Sequence, residues 1–419
     1  MIEIVNKENC TGCTACQQIC PKRCILMRED EEGFCYPVVN RNMCISCGKC
    51  EKICPVLNTK FVAKSGYPDA YLVYDVNENW RKKSAAGGGF VALARFFIEK
   101  YHGVVFGAVY DKDYHVYHEQ IDQADQLFRV QKSKYVQSDV RDTFLQVRRL
   151  LEIDKYVLYS GTPCQIYGLK AFLGKLAVSD KLYCVDLSCH GVPSPKVLKK
   201  YLEALELKEC SKIKSFTMRD KKFKRVAYEQ GFGVVFQNGN SLFIPHSQDM
   251  FGRCFWGEMV SRPSCYNCHF KTIWRDADIT LGDCWFMSCF VPAEDDDLGV
   301  TMALAHTDKG KLIIEQNDKL VWYNVKAEDL IKANGGMIYS SAKANPQRAD
   351  FFKKLDSVPF EILVDNFLPA KQMGTKHKIL KLLDCFGIRM ESIRKQSRER
   401  RLCARLKSEI PECAKGELK

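Results

Sequence analysis

Two cysteine runs near the start of the chain share one spacing, and that spacing is typical of iron–sulfur chemistry. Each run has the form Cys-x2-Cys-x2-Cys-x3-Cys-Pro, which offers three thiolates in one tight loop and a fourth a turn further on. The first run is Cys10, Cys13, Cys16 and Cys20, and the second run is Cys44, Cys47, Cys50 and Cys54. The sequence therefore predicts two 4Fe-4S clusters near the start of the chain.

The pattern also predicts how the cysteines are shared. In bacterial dicluster ferredoxins, the fourth cysteine of each run ligates the cluster of the other run. We therefore expect one cluster on Cys10, Cys13, Cys16 and Cys54, and a second on Cys44, Cys47, Cys50 and Cys20. Zinc would give no role to the third cysteine of each loop. Cys24 and Cys35 fall outside the spacing, and we expect them to be buried thiols.

A second set of cysteines is spread along the rest of the chain. Cys164 and Cys189 each follow a predicted strand. Because ligands bind at the carboxyl ends of strands in open α/β sheets, we expect both thiols at that edge. With the CxxC of Cys265 and Cys268 they would complete a third 4Fe-4S cluster. A structural zinc at the CxxC, or unliganded buried thiols, would explain the same residues.

The predicted elements around these cysteines alternate strand, helix and strand. A strand over 70–76 leads through a glycine turn into a helix from Phe90, and a second strand follows over 104–110. From Ile213 to Ile244 the hydrophobic pattern alternates instead, and Asn238-Gly239 is typical of a hairpin turn. The sequence therefore predicts a mixed sheet.

The glycine turn before that first helix is a candidate phosphate site. Gly87, Gly88 and Gly89 open a helix after a strand, where backbone N–H groups and the helix dipole favour an anion. The turn lacks the GxGxxG fingerprint, and a glycine turn on its own is more often only a turn.

Length and composition describe a globular protein of two or three domains. The chain has 419 residues, with no signal-peptide pattern at its start and no apolar stretch as long as a membrane span. Twenty-two cysteines without an export signal indicate a reducing compartment. We therefore expect a cytoplasmic protein.

The positive charge is concentrated near the end of the chain. Between Lys371 and Lys407, twelve Lys or Arg residues accompany three acidic residues, which accounts for +9 of the net charge of +12. Ile379, Leu382 and Phe386 recur at helical spacing and predict a basic amphipathic helix. This helix would make a peripheral contact with an anionic membrane or an acidic partner such as ferredoxin, or would pack on its own domain. No base-reading motif accompanies the charge, so nucleic acid is not an expected partner.

Several segments together resemble the coenzyme F420 hydrogenase/dehydrogenase beta-subunit family, in its version with an N-terminal dicluster ferredoxin. They are Ser84 to Phe90, Lys132 to Ser138, Gly161 to Ile166, Cys189 to Ser194, and Arg262 to Cys268 continuing through Asp278 to Asp283. Their order and content are similar to the family over roughly residues 1–340.

The resemblance implies a flavoprotein that binds FAD and passes electrons between a two-electron partner and iron–sulfur clusters. It also implies a third cluster at Cys164, Cys189, Cys265 and Cys268. The implied flavin contacts are Ser84, Gly87, Gly88, Gly89, Lys134, Tyr135, Thr162 and Gln165. Two departures from the family pattern, Ala86 in place of serine and Lys132 in place of glycine, leave the identity of the bound nucleotide open.

Lys134 and His190 are the candidate catalytic residues. Lys134 would stabilise an anionic reduced flavin, or would be a surface lysine in a salt bridge. His190 would donate a proton to flavin or substrate, or would make a structural hydrogen bond.

These observations predict an α+β fold of three parts. Residues 1–58 form a small bacterial dicluster ferredoxin domain with a hairpin insert between Ile25 and Val39. Residues 68–345 form a mixed α/β flavin-binding domain, and residues 346–419 form a helical basic C-terminal extension.

The predicted function is that of an iron–sulfur flavoprotein oxidoreductase. It would move electrons between ferredoxin-type 4Fe-4S clusters and an FAD-linked two-electron substrate, with soluble ferredoxin or another redox protein as partner. The alternative is a beta-type electron-transfer subunit that serves a partner enzyme, for example in polysaccharide biosynthesis, without a small-molecule substrate of its own. The sequence does not distinguish a deazaflavin, a nicotinamide and a sugar precursor as the substrate.

Overall fold

The structure is a computed structural model. It describes residues 1–58, 66–221, 231–285, 287–291, 296, 298–334 and 336–370. The predicted basic helix between Lys371 and Lys407 lies outside the described residues.

The first 58 residues form a small module around the two cysteine runs. Its elements are α1 (Ala15–Gln18), β1 (Ile25–Glu29), β2 (Cys35–Val39), α2 (Lys49–Lys52) and α3 (Pro55–Asn58). Strands β1 and β2 pair in antiparallel fashion and form the predicted hairpin. The two runs repeat one backbone turn, because Gly12 and Thr14 have φ of +70° and +63°, and the equivalent Ser46 and Gly48 have +52° and +69°.

The larger domain is built on a mixed sheet of eight strands. They are β3 (Asp69–Asp75), β4 (Val104–Tyr110), β5 (Val116–Ile121), β6 (Val157–Ser160), β7 (Leu182–Leu187), β11 (Ile279–Cys284), β12 (Val300–Ala305) and β13 (Leu320–Val325). Their order in the sheet is β13-β3-β12-β11-β7-β6-β4-β5. Only β4, β6, β7 and β11 pair in parallel, and the other neighbours are antiparallel. The fold is therefore the predicted mixed α/β domain behind a small ferredoxin-like module.

One detail of the predicted sheet is wrong, because the alternating segment from Ile213 does not join this sheet. Strands β3 and β4 flank the helix Gly89–Tyr101 as predicted, and four other strands lie between them in the sheet. The segment from Ile213 forms a separate antiparallel sheet of β8 (Ile213–Thr217), β9 (Gly231–Phe236) and β10 (Ser241–Pro245), with the predicted turn at Asn238-Gly239 between β9 and β10. Alternation predicts the type of a strand but not its neighbours, since these depend on long-range packing.

Helices cover both faces of the large sheet. Those before residue 210 are α4 (Glu78–Lys83), α5 (Gly89–Tyr101), α6 (Thr143–Glu152), α7 (Pro163–Leu173) and α8 (Pro195–Glu209). Those after it are α9 (Met250–Trp256), α10 (Pro263–Tyr266), α11 (Asp308–Glu315), α12 (Ala327–Asn334), α13 (Gly336–Tyr339), α14 (Arg348–Lys354) and α15 (Phe360–Phe367). Apolar residues of α5 and α11 pack on one face, and those of α6 and α7 pack on the other. The module joins the second face, because Cys13 and Ala15 lie in the same hydrophobic cluster as α6 and α7.

The described part of the predicted C-terminal extension is helical. Helices α14 and α15 bury Phe351, Phe360 and Leu363 in the cluster that also holds α8, α9 and the three-stranded sheet. None of the helices in the described part of the chain combines the length and hydrophobicity that crossing a bilayer requires.

Candidate functional site

The module has two cavities, and each is lined by one of the predicted ligand sets. We call Cys10, Cys13, Cys16 and Cys54 the inner site, and Cys20, Cys44, Cys47 and Cys50 the outer site. The inner-site cysteines line one cavity and the outer-site cysteines line the other. The fourth cysteine of each run thus lies in the cavity of the other run. This arrangement fits two 4Fe-4S clusters with exchanged fourth ligands.

The outer site contains a fifth thiol that the spacing did not predict. Cys24 is buried as expected, but it lines the outer cavity and its Sγ lies 3.3 Å from Cys20 Sγ. The amide of Ile2 also donates a hydrogen bond to Cys50 Sγ at 3.3 Å. Such hydrogen bonds to sulfur are one way in which proteins set cluster potentials. The expectation is wrong for Cys35, which is exposed because the next residue of β2, Tyr36, takes the buried face.

The larger domain packs against the inner site at Cys13. A Cβ on Gly168 of α7 would lie 3.0 Å from both Cβ and Sγ of Cys13, so a larger residue there would require Cys13 to shift. The side-chain amide of Gln137 donates to Thr11 O at 3.1 Å. The side chain of Gln18 in α1 accepts from the amide of Phe144, at the start of α6, at 3.1 Å. The module is therefore packed on α6 and α7.

Arg262 is the most deeply buried polar link between module and domain. Its side chain is fully buried, and it donates to Cys10 O at 2.7 Å, Cys35 O at 3.0 Å and Gln137 Oε1 at 2.9 Å. Its Nη2 also lies 3.6 Å from Cys10 Sγ, and its guanidinium stacks over the Tyr36 ring at 4.3 Å. A positive charge is therefore held beside the inner site, three residues before Cys265.

The four remaining candidate ligands converge in the larger domain; Cys164, Cys189, Cys265 and Cys268 are called the core site. Cys164 and Cys189 follow β6 and β7, which are neighbouring parallel strands. The amide of Arg262 donates to Val192 O at 3.0 Å, which ties the loop after β7 to α10. A Cβ on Gly191 would lie 3.3 Å from Cys265 Cβ as a result.

The electrostatics of the core site are those of clustered thiols. Burial raises the pKa of Cys164 well above its usual value, and the neighbouring Cys268, Cys189 and Cys265 raise it further. Two cations lie beside the site, Lys271 and Arg275: Lys271 Nζ donates to the carbonyls of Cys189 and Met337, and Arg275 donates to Leu187 O at 2.9 Å. Cations stabilise thiolates, which are the ligand form of cysteine. The four thiols lie close enough to influence one another, which makes them candidate ligands of one cluster.

Helix α7 connects the core site to the inner site. Cys164 is its second residue, and Gly168 lies one turn later on the same face. Since Gly168 contacts Cys13, the two cysteine sites are separated by about one helical turn, which rises about 5.4 Å.

The predicted flavin residues fall into two groups. In the first, Gln131 joins the glycine turn to the Lys134 segment, because its Nε2 donates to Ser84 Oγ at 3.2 Å and its carbonyl accepts from Lys134 Nζ at 3.0 Å. Burial, together with the positive charge of Lys132, lowers the pKa of Lys134 to about 7. The other interpretation of Lys134, a surface lysine in a salt bridge, does not fit this arrangement, because Lys134 Nζ donates to a carbonyl.

Two more buried cations adjoin this region. Lys221 Nζ donates to Leu298 O at 2.6 Å and to Ala86 O inside the glycine turn, and burial lowers its pKa to about 7. Arg219 forms an ion pair with Asp283 at 2.7 Å. Near Lys134, Tyr110 Oη and His118 Nδ1 have no hydrogen-bond partner among the described residues. Buried polar atoms normally have a partner, so this region fits a polar, anionic ligand.

The glycines of the turn have a packing role of their own. A Cβ on Gly87 would lie 2.7 Å from Val73 O and 2.8 Å from the Thr301 amide, so the turn packs against β3 and β12. Gly88 has a φ of +83° and faces the Asp75 side chain. The start of α5 therefore lies beside a carboxylate, which competes with the phosphate that the sequence predicted there.

In the second group, protein atoms occupy the predicted polar contacts. Gln165 Oε1 accepts from the Thr162 amide at 2.9 Å and its Nε2 donates to Ser138 Oγ at 3.0 Å, while Thr162 Oγ1 lies 3.2 Å from Cys164 Sγ. His190 Nε2 lies 2.6 Å from Glu258 Oε1 and its Nδ1 lies 3.3 Å from Met337 Sδ. These residues support the core site and the loop that follows Cys189.

An aromatic cluster links the two groups. The Tyr135 and Trp256 rings lie 5.4 Å apart, and the Trp256 and His190 rings lie 6.2 Å apart. Sequence reasoning missed Trp256, along with Arg262, Gly168, Arg219 and Lys221. Arg262 opens one of the segments that carry the family resemblance, but no local motif marks its contact or the other four residues, because each acquires its role from a contact distant in sequence.

Comparisons with known proteins agree with this architecture. Residues 154–329 match the family model for the C-terminal part of the beta subunit of coenzyme F420 hydrogenase/dehydrogenase, and residues 9–58 match a 4Fe-4S dicluster domain. None of the curated proteins compared matches the chain. Among solved structures, a chain of the xenon-derivatised F420-reducing nickel–iron hydrogenase complex from Methanosarcina barkeri is 17% identical, with a TM-score of 0.44 over 73% of this chain and 92% of that chain.

The match over residues 9–58 makes this chain an iron–sulfur protein with a dicluster domain. The segment of the larger domain that matches the beta-subunit family model includes all four cysteines of the core site.

Proposed function

We propose that the protein is an FAD-dependent iron–sulfur oxidoreductase in which electrons pass between the outer, inner and core sites and a flavin. The observation that carries the proposal is the geometry of α7. One helix presents Cys164 to the core site and Gly168 to Cys13 of the inner site. The three sites thus form a series from the surface of the module into the larger domain.

The core site would hold a third 4Fe-4S cluster. Four partly buried cysteine thiols with two adjacent cations are a more suitable donor set for a cluster than for a structural zinc pair at the CxxC alone. Thr162 Oγ1 beside Cys164 Sγ supplies a hydrogen bond of the kind that tunes such a ligand.

FAD would bind at the region of buried cations beside the glycine turn. When bound, it supplies the exchange between two-electron and one-electron chemistry. Ser84, Gly87, Gly88, Gly89, Lys134, Tyr135, Thr162 and Gln165 stay the predicted contacts, and the positions of Arg219 and Lys221 add two residues to this set. Lys134 Nζ would hold positive charge near the anionic group, and its pKa of about 7 lets it release a proton near neutral pH.

Cofactor analysis after anaerobic purification tests this proposal. We expect about twelve iron atoms, about twelve sulfides and one FAD per chain, which is the count for three 4Fe-4S clusters. Cys268→Ser should lower the iron to about eight. The matched control is Cys254→Ala, because Cys254 is fully buried outside all three sites. About eight irons in the unaltered protein would contradict the proposed core cluster, and absence of FAD would contradict the proposed flavin.

The second candidate function is that of a beta-type subunit acting for a partner enzyme. The description of the matched family, a beta subunit, favours it. The isolated protein decides between the two: oxidation of its reduced flavin by a small-molecule acceptor supports an independent enzyme. A flavin that is oxidised only when a partner protein is added supports the role of a subunit.

A further inference from the structure

The outer site opens to solvent on a surface that is both apolar and basic. Cys47 is exposed, and the side chain of the adjacent Ile45 is 56% exposed although it lines the outer cavity. Lys22 and Lys49 line the same cavity, and both are exposed to solvent at least in part. We call Lys22, Ile45, Cys47 and Lys49 the outer rim.

The charge of the rim is not neutralised within the described residues. Neither Lys22 nor Lys49 forms an ion pair there, and the adjacent Arg23 is also exposed. The acidic residue of α2, Glu51, is instead paired with the amino group of Met1 at 2.9 Å. Among the described residues, the rim therefore presents unpaired lysine side chains around an exposed apolar side chain.

The larger domain contacts one side of the inner site. Gly168, Gln137 and Arg262 make these contacts, as described above. Cys13 is buried there, whereas the equivalent Cys47 of the outer site is exposed. The outer site is therefore the side of the module that lies away from these contacts, where another protein can approach an exposed ligand.

We infer that the outer rim is the docking surface for a small acidic electron-carrier protein of the ferredoxin type. This inference rests on the electron-transfer role proposed above and adds its point of entry. Each docked complex would transfer one electron. The carrier is oxidised by one electron and the module is reduced by one electron, or the reverse, and no bond forms or breaks. Opposite charge steers such encounters, and the apolar centre lets the two surfaces exclude water.

The test is stopped-flow electron transfer from a reduced, acidic dicluster ferredoxin to the full-length protein. We expect the second-order rate constant to fall steeply with salt, because exposed charges are screened within about 10 Å at 0.1 M. Lys22→Glu and Lys49→Glu should each lower it about tenfold at low salt. Lys100→Glu is the matched control, since Lys100 is exposed on α5, across the sheet from the module.

Electron paramagnetic resonance of the dithionite-reduced variants shows whether both module clusters are retained. A loss of rate in the two rim variants with intact cluster signals, and a control within about twofold, supports the docking surface. A rate that is independent of salt, or that falls equally in Lys100→Glu, overturns it. If Lys49→Glu loses a cluster because it adjoins Cys50, Lys22→Glu and the salt dependence decide.

These outcomes are separable from the flavin proposal. If the protein contains no FAD but its electron-transfer rate depends on salt and on the rim lysines, the docking surface is supported and the flavin proposal is contradicted. If the protein binds FAD but the rate does not depend on the rim lysines, the flavin proposal is supported and the docking surface is contradicted.

Discussion

The inner and outer sites start from the same cysteine spacing and the same backbone turns, yet they have opposite surroundings. The four positive φ values at Gly12, Thr14, Ser46 and Gly48 show that the two loops are built alike. The inner loop is covered by α7, whereas the outer loop leaves Cys47 exposed. Ligand spacing therefore determines that clusters bind, and packing on the larger domain determines which cluster faces inward.

The hairpin insert is part of what fixes this orientation. Gly33 at its tip has a φ of +86°, and a Cβ there would lie 2.3 Å from Lys196 Cβ of α8. The adjacent Glu32 forms a two-pronged ion pair with Arg348 at 2.6 Å. With Arg262 and Gly168, the module is thus anchored at three separated points.

Replacing Arg262, the buried residue that links the module to the larger domain, should have the largest effect on the difference between the inner and outer sites. In Arg262→Met, three acceptors lose their donor, at Cys10, Cys35 and Gln137. We expect a loss of at least about 3 kcal/mol of stability, because three buried hydrogen bonds to a charged donor are lost, each worth about 1.5 to 3 kcal/mol. The packing of the methionine side chain offsets part of this loss. Anaerobic calorimetry should show a melting temperature lower by several degrees, with loss of the inner cluster signal.

The control for this variant is Arg253→Met. Arg253 is also largely buried, but it pairs with Asp365 of α15 at 2.8 Å, outside the module. If Arg253→Met loses the inner cluster as readily as Arg262→Met, the anchor has no specific role.

A smaller effect is expected at Lys134, the buried lysine of the larger domain, in flavin-free protein. Its folded pKa of about 7 lies below the unfolded value of about 10.4, so the unfolded chain binds more protons between these values. Stability should therefore rise as pH increases from about 7 to about 10. Lys134→Met should remove this dependence and be more stable than the parent at pH 7 by on the order of 1 kcal/mol.

Chemical denaturation at several pH values measures this, with the exposed Lys100→Met as control. Parallel pH profiles for the parent and Lys134→Met would show that the lysine is not held neutral by burial. A site that costs stability in this way is typical of a functional lysine.

The smallest expected effect concerns the fifth thiol of the outer site. Cys24→Ala should keep all the iron, because the four cysteines of the predicted set remain, and should change only the line shape of the outer cluster signal. Cys20→Ala should instead lose about four irons. If the two variants exchange these results, Cys24 is the ligand and Cys20 is its neighbour at 3.3 Å.

The sequence predicted what repeats locally and missed what is assembled at a distance. The cysteine runs, the hairpin at Asn238-Gly239 and the strands before Cys164 and Cys189 follow from spacing and periodicity. The strand order, the anchor at Arg262 and the contact of Gly168 depend on which surfaces meet. A lone glycine or arginine carries no local signal of such a contact, so these roles needed the folded chain.

The glycine turn is a second case in which the sequence alone did not show the reason for a residue type. Its three glycines were predicted to admit a phosphate, whereas Gly87 packs on the backbone of β3 and β12. Steric demand explains the residue type there, and the buried cations Lys134 and Lys221 are the stronger indication of an anionic ligand.

The central claim is that the larger domain shields the inner site at Cys13 and leaves the outer site exposed at Cys47. The most direct measurement is the relaxation of the two reduced module clusters, followed by electron paramagnetic resonance, with and without a soluble dysprosium chelate. We predict strong enhancement for the cluster that Cys47→Ser perturbs and little for the other, with Gly168→Val making the second cluster sensitive as well. Equal enhancement of both clusters in the unaltered protein would contradict the account.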